Sequence, residues 1–246
     1  MASASPTYPP VDVLKQVAER VWIVDSGPIR AMGIPLPVRM TVIQLADGGI
    51  WVHSPTPYND QLRRDIERIG PIHHLIAPSY AHWMFLLQWQ QACPGAIAWA
   101  TPNLRRRRQV RNSGVRLDRD LTPHPPPDWE GELEQVIVRG VGGFTEVVFY
   151  HLPSRTLVLV DLIQNIEPQK IPWALRLPFR LVGVLAPDGG APVDLRWVVR
   201  LKRREAARAA ARIFEWKPER VIFAHGSWWD RDGSAALRRS LGWMSS

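Results

Sequence analysis

The sequence predicts a mixed α/β protein in which two β-sheets pack face to face with helices outside. Three observations lead there. Each half of the chain reads as strands followed by a helix, a strand and a helix. Two stretches, near residues 38–53 and 133–160, are hairpin-rich, as two separate sheets require. Finally, three apolar runs of the kind buried on both faces lead to polar residues: 74–77 ahead of His82, 156–160 ending in Asp161, and 221–224 ending in His225. Ligands in α/β proteins sit beyond strand ends, so these three side chains are the first candidates for one shared site.

Composition fits one domain spanning residues 1–246. A chain of 246 residues, 46% hydrophobic, can bury a large core. The single cysteine, Cys93, excludes an intramolecular disulfide framework and a cysteine-rich zinc site, and it suits a reducing, cytoplasmic setting. Residues 1–6 lack a basic region followed by an apolar core. No apolar stretch approaches the roughly 18 residues needed to span a bilayer, so no membrane partner is expected. The net charge of +8 is concentrated in Arg105 to Arg108 with Arg111, and in Lys202, Arg203 and Arg204 with Arg208 and Arg212. No basic-aromatic module accompanies these groups, so they read as solvated surface rather than a nucleic-acid patch.

In chain order, residues 1–19 are a Pro/Ser-rich loose arm, and 20–25 a first strand. The Pro-rich segment 28–37 should be loop. Residues 38–45 and 50–53 form a hairpin closed by Asp47-Gly48-Gly49. Leu62, Ile66 and Ile69 fall at helical spacing ahead of Gly70-Pro71. After the strand 72–77, a helix runs from His82 to Ala92, which puts His82 at its N-terminus. Residues 96–100 are a short strand, and the Arg/Pro-rich stretch 101–128 is an extended excursion. Strands 133–138, 146–151 and 156–160 make the second meander. Residues 165–195 read as an irregular segment covering an opening, and a helix 201–214, a strand 220–224 and a helix 234–243 close the chain.

This layout resembles the metallo-β-lactamase superfamily, a four-layer αββα sandwich with its metal site along one edge. The matching motifs come in the family's order. His53-Ser54-Pro55 stands at the Asp-Thr-Gly position, and Ala77 to His82 at the His-x-His-x-Asp-His turn. Gly143-Phe144-Thr145 stands at Gly-His-Thr, Val160-Asp161 at the strand ending in the bridging aspartate, and Ala224-His225-Gly226 at the final histidine. Arg39 to Val42, Glu146 to His151 and Pro153 to Leu157 most resemble an uncharacterised bacterial branch of that superfamily.

The resemblance implies one metal position lost and one kept. The three histidines of the first would fall on Ala77, Ser79 and Phe144, none of which supplies that nitrogen. The second would fall on Ala81, His82, Asp161 and His225, three of which are usable ligands for one Zn or Fe ion. Three functions stay open. The first is a mononuclear metal-dependent hydrolase of an ester or thioester. The second is a metal-free member binding a small, anionic ligand, with the triad a residual hydrogen-bonded cluster. The third is a protein or nucleic-acid interaction module. His53 is either a ligand neighbour or an ordinary strand-end histidine, and Tyr80, Trp228 and Trp229 either wall the pocket or pack in the core.

Overall fold

The turn at Asp47-Gly48-Gly49 sets the register of the first sheet. Gly48 sits at φ +87°, where a side chain would be strained, and the Asp47 carboxylate accepts from the Gly49 N–H at 2.8 Å. The computed structural model describes residues 5–31 and 33–245. Its first sheet holds β1 (Lys15–Ala18), β2 (Val21–Ala31), β3 (Ile34–Gln44), β4 (Ile50–His53), β5 (Ile72–Ala77), β6 (Ile97–Ala100) and β7 (Arg119–Asp120), neighbours in that order. The pairs from β1 to β4 are antiparallel; those from β4 to β7 are parallel.

The second sheet follows from the expected meander. β8 (Leu133–Arg139), β9 (Thr145–His151) and β10 (Thr156–Val158) pair antiparallel. The two-residue β11 (Gln164–Asn165) comes next; β12 (Arg220–Ile222) then joins β10 in parallel, and β13 (His225–Gly226) pairs with β11. The helices are α1 (Asp60–Glu67), α2 (Leu86–Ala92), α3 (Arg108–Arg111), α4 (Trp173–Val182), α5 (Val193–Arg200), α6 (Arg203–Glu215) and α7 (Gly233–Leu241).

Period-two alternation sorts the side chains into layers. Ile43, Trp51, Val147 and Phe149 point between the sheets, where Trp99 and Trp129 join them. Their neighbours Val42 and Val52 face outward onto Leu62 and Ile66 of α1 and Trp89 of α2. Val148 and Leu157 face outward on the other side onto α5, α6 and α7 through Leu195, Ala210 and Leu237. The result is the αββα order of layers.

Four expectations are corrected. Residues 28–31 and 34–37 are not loop, because β2 and β3 continue through them, with a bulge between Ser26 and Ile29, while residue 32 of that expectation lies outside the described residues. This hairpin tip runs past the pairing of β1 and β4, so the outward edges there meet no paired strand and proline is tolerated. The arm 1–19 is not loose where it is described. β1 pairs with β2, and Lys170 Nζ donates to the Thr7 carbonyl at 2.7 Å, while residues 1–4 of that expectation lie outside the described residues. The second helix starts at Leu86 rather than His82, because the Ser79 hydroxyl accepts from the N–H groups of Ala81 and His82 at 3.3 Å each and holds a turn. Segment 165–195 contains α4 and the start of α5. Both follow a proline, which is tolerated before the first turn, and Gly183 at φ +83° ends α4. Segment 101–128 is irregular apart from α3 and β7, yet Leu104, Val110 and Leu117 pin it to the core.

Candidate metal centre

Asp161 emerges where the buried run Leu157 to Val160 ends, and a carboxylate holds that end in shape. Glu146, fully buried on β9, accepts from the N–H of Val160 at 2.8 Å and from those of Asp161 and Leu162 at 3.1 Å each. Burial, then repulsion from Asp161, pushes the Glu146 carboxyl well above the usual range, against the pull of those three N–H groups. The same strand joins the sheets at the site, since the Val147 N–H donates to the Pro78 carbonyl at 2.8 Å and Ser79 bridges to Glu146.

His82 is presented by the turn that Ser79 organises. Its Nδ1 lies 2.6 Å from the hydroxyl of Ser54, the residue after β4, which holds φ +54° while its N–H donates to Ile76. His225 is fixed from the opposite side. Its Nδ1–H donates to the Pro37 carbonyl at 2.8 Å, and the Arg39 guanidinium donates to the carbonyls of Phe223 at 2.9 Å and Gly226 at 2.8 Å. Arg39 is itself buried beside the Asp25 carboxylate. Gly226 is required next to His225: at φ +99°, a Cβ there would lie 2.1 Å from the Asn165 carbonyl oxygen.

These supports converge three atoms. His82 Nε2 lies 3.3 Å and His225 Nε2 3.6 Å from Asp161 Oδ1, and one ligand atom from each residue falls within 4.8 Å of the others. A carbonyl can only accept, so His225 Nδ1 carries a proton and Nε2 of the neutral ring presents a lone pair toward a carboxylate oxygen. That arrangement calls for positive charge between them, either a cation or a proton on an imidazole. Two imidazole nitrogens and one carboxylate oxygen are a donor set that fits Zn or Fe. Burial opposes ionisation of Asp161, but His82 and His225 outweigh it and hold the carboxyl below its usual range. The remaining Asp161 oxygen accepts from the Ser79 hydroxyl at 3.3 Å.

A cavity of about 170 Å³ opens on the triad, walled by Ile29, Leu36, Val38 and Phe85, with Ser54, Ala81 and Gln164 beside the ligands. The positions where the resemblance places a first metal's ligands hold no nitrogen donor. Ala77 is buried at the end of β5, and Phe144 packs edge-on against Tyr80 with centroids 5.3 Å apart.

The remaining sequence candidates are not brought to this cavity. His53 is buried between the sheets, stacked on Trp51 at 5.4 Å, and desolvation with repulsion from His82 pushes its pKa well down, so it stays neutral. Tyr80 lines a separate cavity of about 680 Å³ with Arg106, Arg107 and Phe144. Trp228 lines a groove with Tyr8 and Arg39, and Trp229 packs edge-on against Phe223 because its backbone bridges back to Val221. Sequence reasoning missed Ser54, Ser79 and Arg39 as supports, and gave Glu146 a structural role without its partners. Arg39 and Glu146 carried a signal, one charged side chain each within a largely buried strand.

Residues 18–182 match the family model described as "Domain of unknown function (DUF4336)". No curated protein matches the sequence. Solved structures match over nearly their full length. A metallo-beta-lactamase from Pontibacter korlensis aligns at 15% identity over 95% of this chain and 99% of that one, with TM-score 0.63. One from Hirschia baltica aligns at 16% over 94% and 97%, with TM-score 0.60. The metallo-beta-lactamase FIM-1 from Pseudomonas aeruginosa, solved in its mono-zinc form, aligns at 12% over 99% and 98%, with TM-score 0.61. At these identities the likeness shows the fold alone, the αββα sandwich of the metallo-β-lactamase type.

Proposed function

The chain belongs to the DUF4336 family and has the metallo-β-lactamase fold, and from that premise we propose that it is a mononuclear metal-dependent hydrolase of an ester or thioester. The observation that carries this reading is the convergence of His82, Asp161 and His225 on one point, each braced from behind by a different element. A Zn or Fe ion bound there supplies Lewis acidity and lowers the pKa of water it binds.

The chain's own residues would do the rest. His225, with its proton fixed on Nδ1 by Pro37, offers Nε2 without a change of tautomer. Asp161 is the one carboxylate lining the triad cavity among the described residues, and its second oxygen accepts from the Ser79 hydroxyl, which fixes the direction in which the carboxylate faces the cavity. The apolar wall of Ile29, Leu36, Val38 and Phe85 suits an uncharged acyl group. Small acyl esters and thioesters should be hydrolysed by metal-replete protein, and both a chelator and Asp161→Ala should abolish the activity in protein that remains folded. Hydrolysis that survives both would overturn the reading.

A second reading, a metal-free member binding a small anion, draws on the cavity of about 680 Å³ that Arg106 and Arg107 line apart from the triad. Binding of an organic phosphate lost in Arg107→Ala, in protein that takes up no metal, would favour it.

A further inference from the structure

Two successive helices carry one pattern twice. Aligned with an offset of 20 residues, Pro172 to Leu181 and Pro192 to Leu201 share Pro172/Pro192, Leu175/Leu195, Arg176/Arg196, Arg180/Arg200 and Leu181/Leu201. At helical spacing, the third and seventh residues of each helix turn inward. Leu175 and Phe179 pack on the small cluster beneath α4, and Leu195 and Val199 pack in the core beneath α5.

Counted from Trp173 and from Val193, the first, fifth and ninth positions, the last of which caps α5, turn outward and are apolar. Trp173 is 82% exposed, Leu177 65% and Leu181 74%; on α5, Val193 is 43% exposed, Trp197 66% and Leu201 69%. No other large apolar side chain among the described residues exceeds 60% exposure. Monomeric surfaces rarely gather such residues without a partner. The two elements are neighbours, since a Cβ at Gly183, where α4 ends, would lie 3.0 Å from the Arg196 guanidinium.

The charge around these stripes identifies the occupant. Between positions 172 and 204 the chain carries seven arginines and lysines against Asp188 and Asp194. Arg176, Arg180 and Arg200 have no acidic partner among the described residues. We propose that α4 and α5 form a docking surface for an anionic lipid bilayer, with the tryptophans and leucines entering the interface and the arginines meeting headgroups.

A second copy of the chain fits less well. Packing the face against itself would oppose arginine borders with two aspartates to answer them. Nucleic acid would leave the apolar stripes unsatisfied. The expectation of no membrane partner rested on the absence of a spanning segment. Among the described residues no helix is long and apolar enough to cross a membrane, but docking in the interface requires none. Leu36 packs against the cluster beneath α4 and also lines the triad cavity, so docking would hold that cavity one side chain from the lipid-bound helix. The inference is independent of metal at the triad.

Flotation of the full chain with vesicles tests it, using phosphatidylcholine alone and phosphatidylcholine mixed equally with phosphatidylglycerol. The wild type should float with the mixed vesicles and weakly with the neutral ones. Trp173→Ser/Leu177→Ser/Trp197→Ser, changing exposed positions only, should lower binding about tenfold or more with an unchanged thermal melt. Arg176→Gln/Arg180→Gln/Arg200→Gln should remove the preference for anionic vesicles. Absence of binding to either vesicle would overturn the proposal, as would binding that survives both variants. So would a dimer in sedimentation velocity that the apolar variant dissociates while vesicle binding is absent.

Discussion

The side of the candidate metal centre that holds His82, Asp161 and His225 and the side that holds Ala77 and Phe144 are built differently. On the side of His82, Asp161 and His225, each candidate ligand has a support of its own. Ser54 sits behind His82, the Pro37 carbonyl behind His225, and Ser79 and Glu146 behind Asp161. On the side of Ala77 and Phe144, Ala77 is buried at the end of β5 and Phe144 packs edge-on against Tyr80 at the wall of the cavity of about 680 Å³. Buried polar and charged groups are costly unless matched, and on the His82 side each one is matched by a partner that also aims a candidate ligand.

Cutting the supports on the His82 side should have the largest effects. Arg39→Leu leaves the Asp25 carboxylate buried without its guanidinium and the carbonyls of Phe223 and Gly226 without their donor. It should cost about 3–5 kcal/mol in urea unfolding and loosen His225. Glu146→Ala orphans three backbone N–H groups but relieves repulsion with Asp161, so a smaller loss of about 1–3 kcal/mol is expected by the same measurement. Ser54→Ala should leave the melting temperature of the metal-free protein nearly unchanged while weakening Zn²⁺ binding about tenfold, read by calorimetry. On the other side, Phe144→His should leave metal stoichiometry unchanged, because a single added nitrogen finds Ala77 and Ser79 where partners would be needed. A second metal equivalent in Phe144→His would show that the two sides do not differ in this way.

How far the sequence alone carried can be judged residue by residue. Asp161 was legible because an apolar run stops at it, and His225 because a similar run delivers it before a glycine that nothing else can replace. The hairpin at Asp47-Gly48-Gly49 was legible from turn chemistry. The strands through 28–31 and 34–37 were not, because prolines read as breakers until it is known that the hairpin tip lies beyond its neighbours. Helix α4 was hidden for a related reason, since Pro178 falls inside it and reads as a breaker. Tyr80, Trp228 and Trp229, read as either a pocket wall or core packing, lie outside the lining of the triad cavity, because proximity in sequence to His82 and His225 does not set direction and a backbone bridge turns Trp229 back onto Phe223. Ser54 and Ser79 act through hydrogen bonds across long sequence separations, which no local pattern reports.

Titration of Zn²⁺ into chelator-stripped protein, alongside Asp161→Asn and His82→Ala of confirmed fold, tests the contrast between the two sides most directly. One equivalent per chain, lost in both variants and raising the melting temperature of the wild type, is the predicted result. Two equivalents, none, or one that persists in both variants would contradict it.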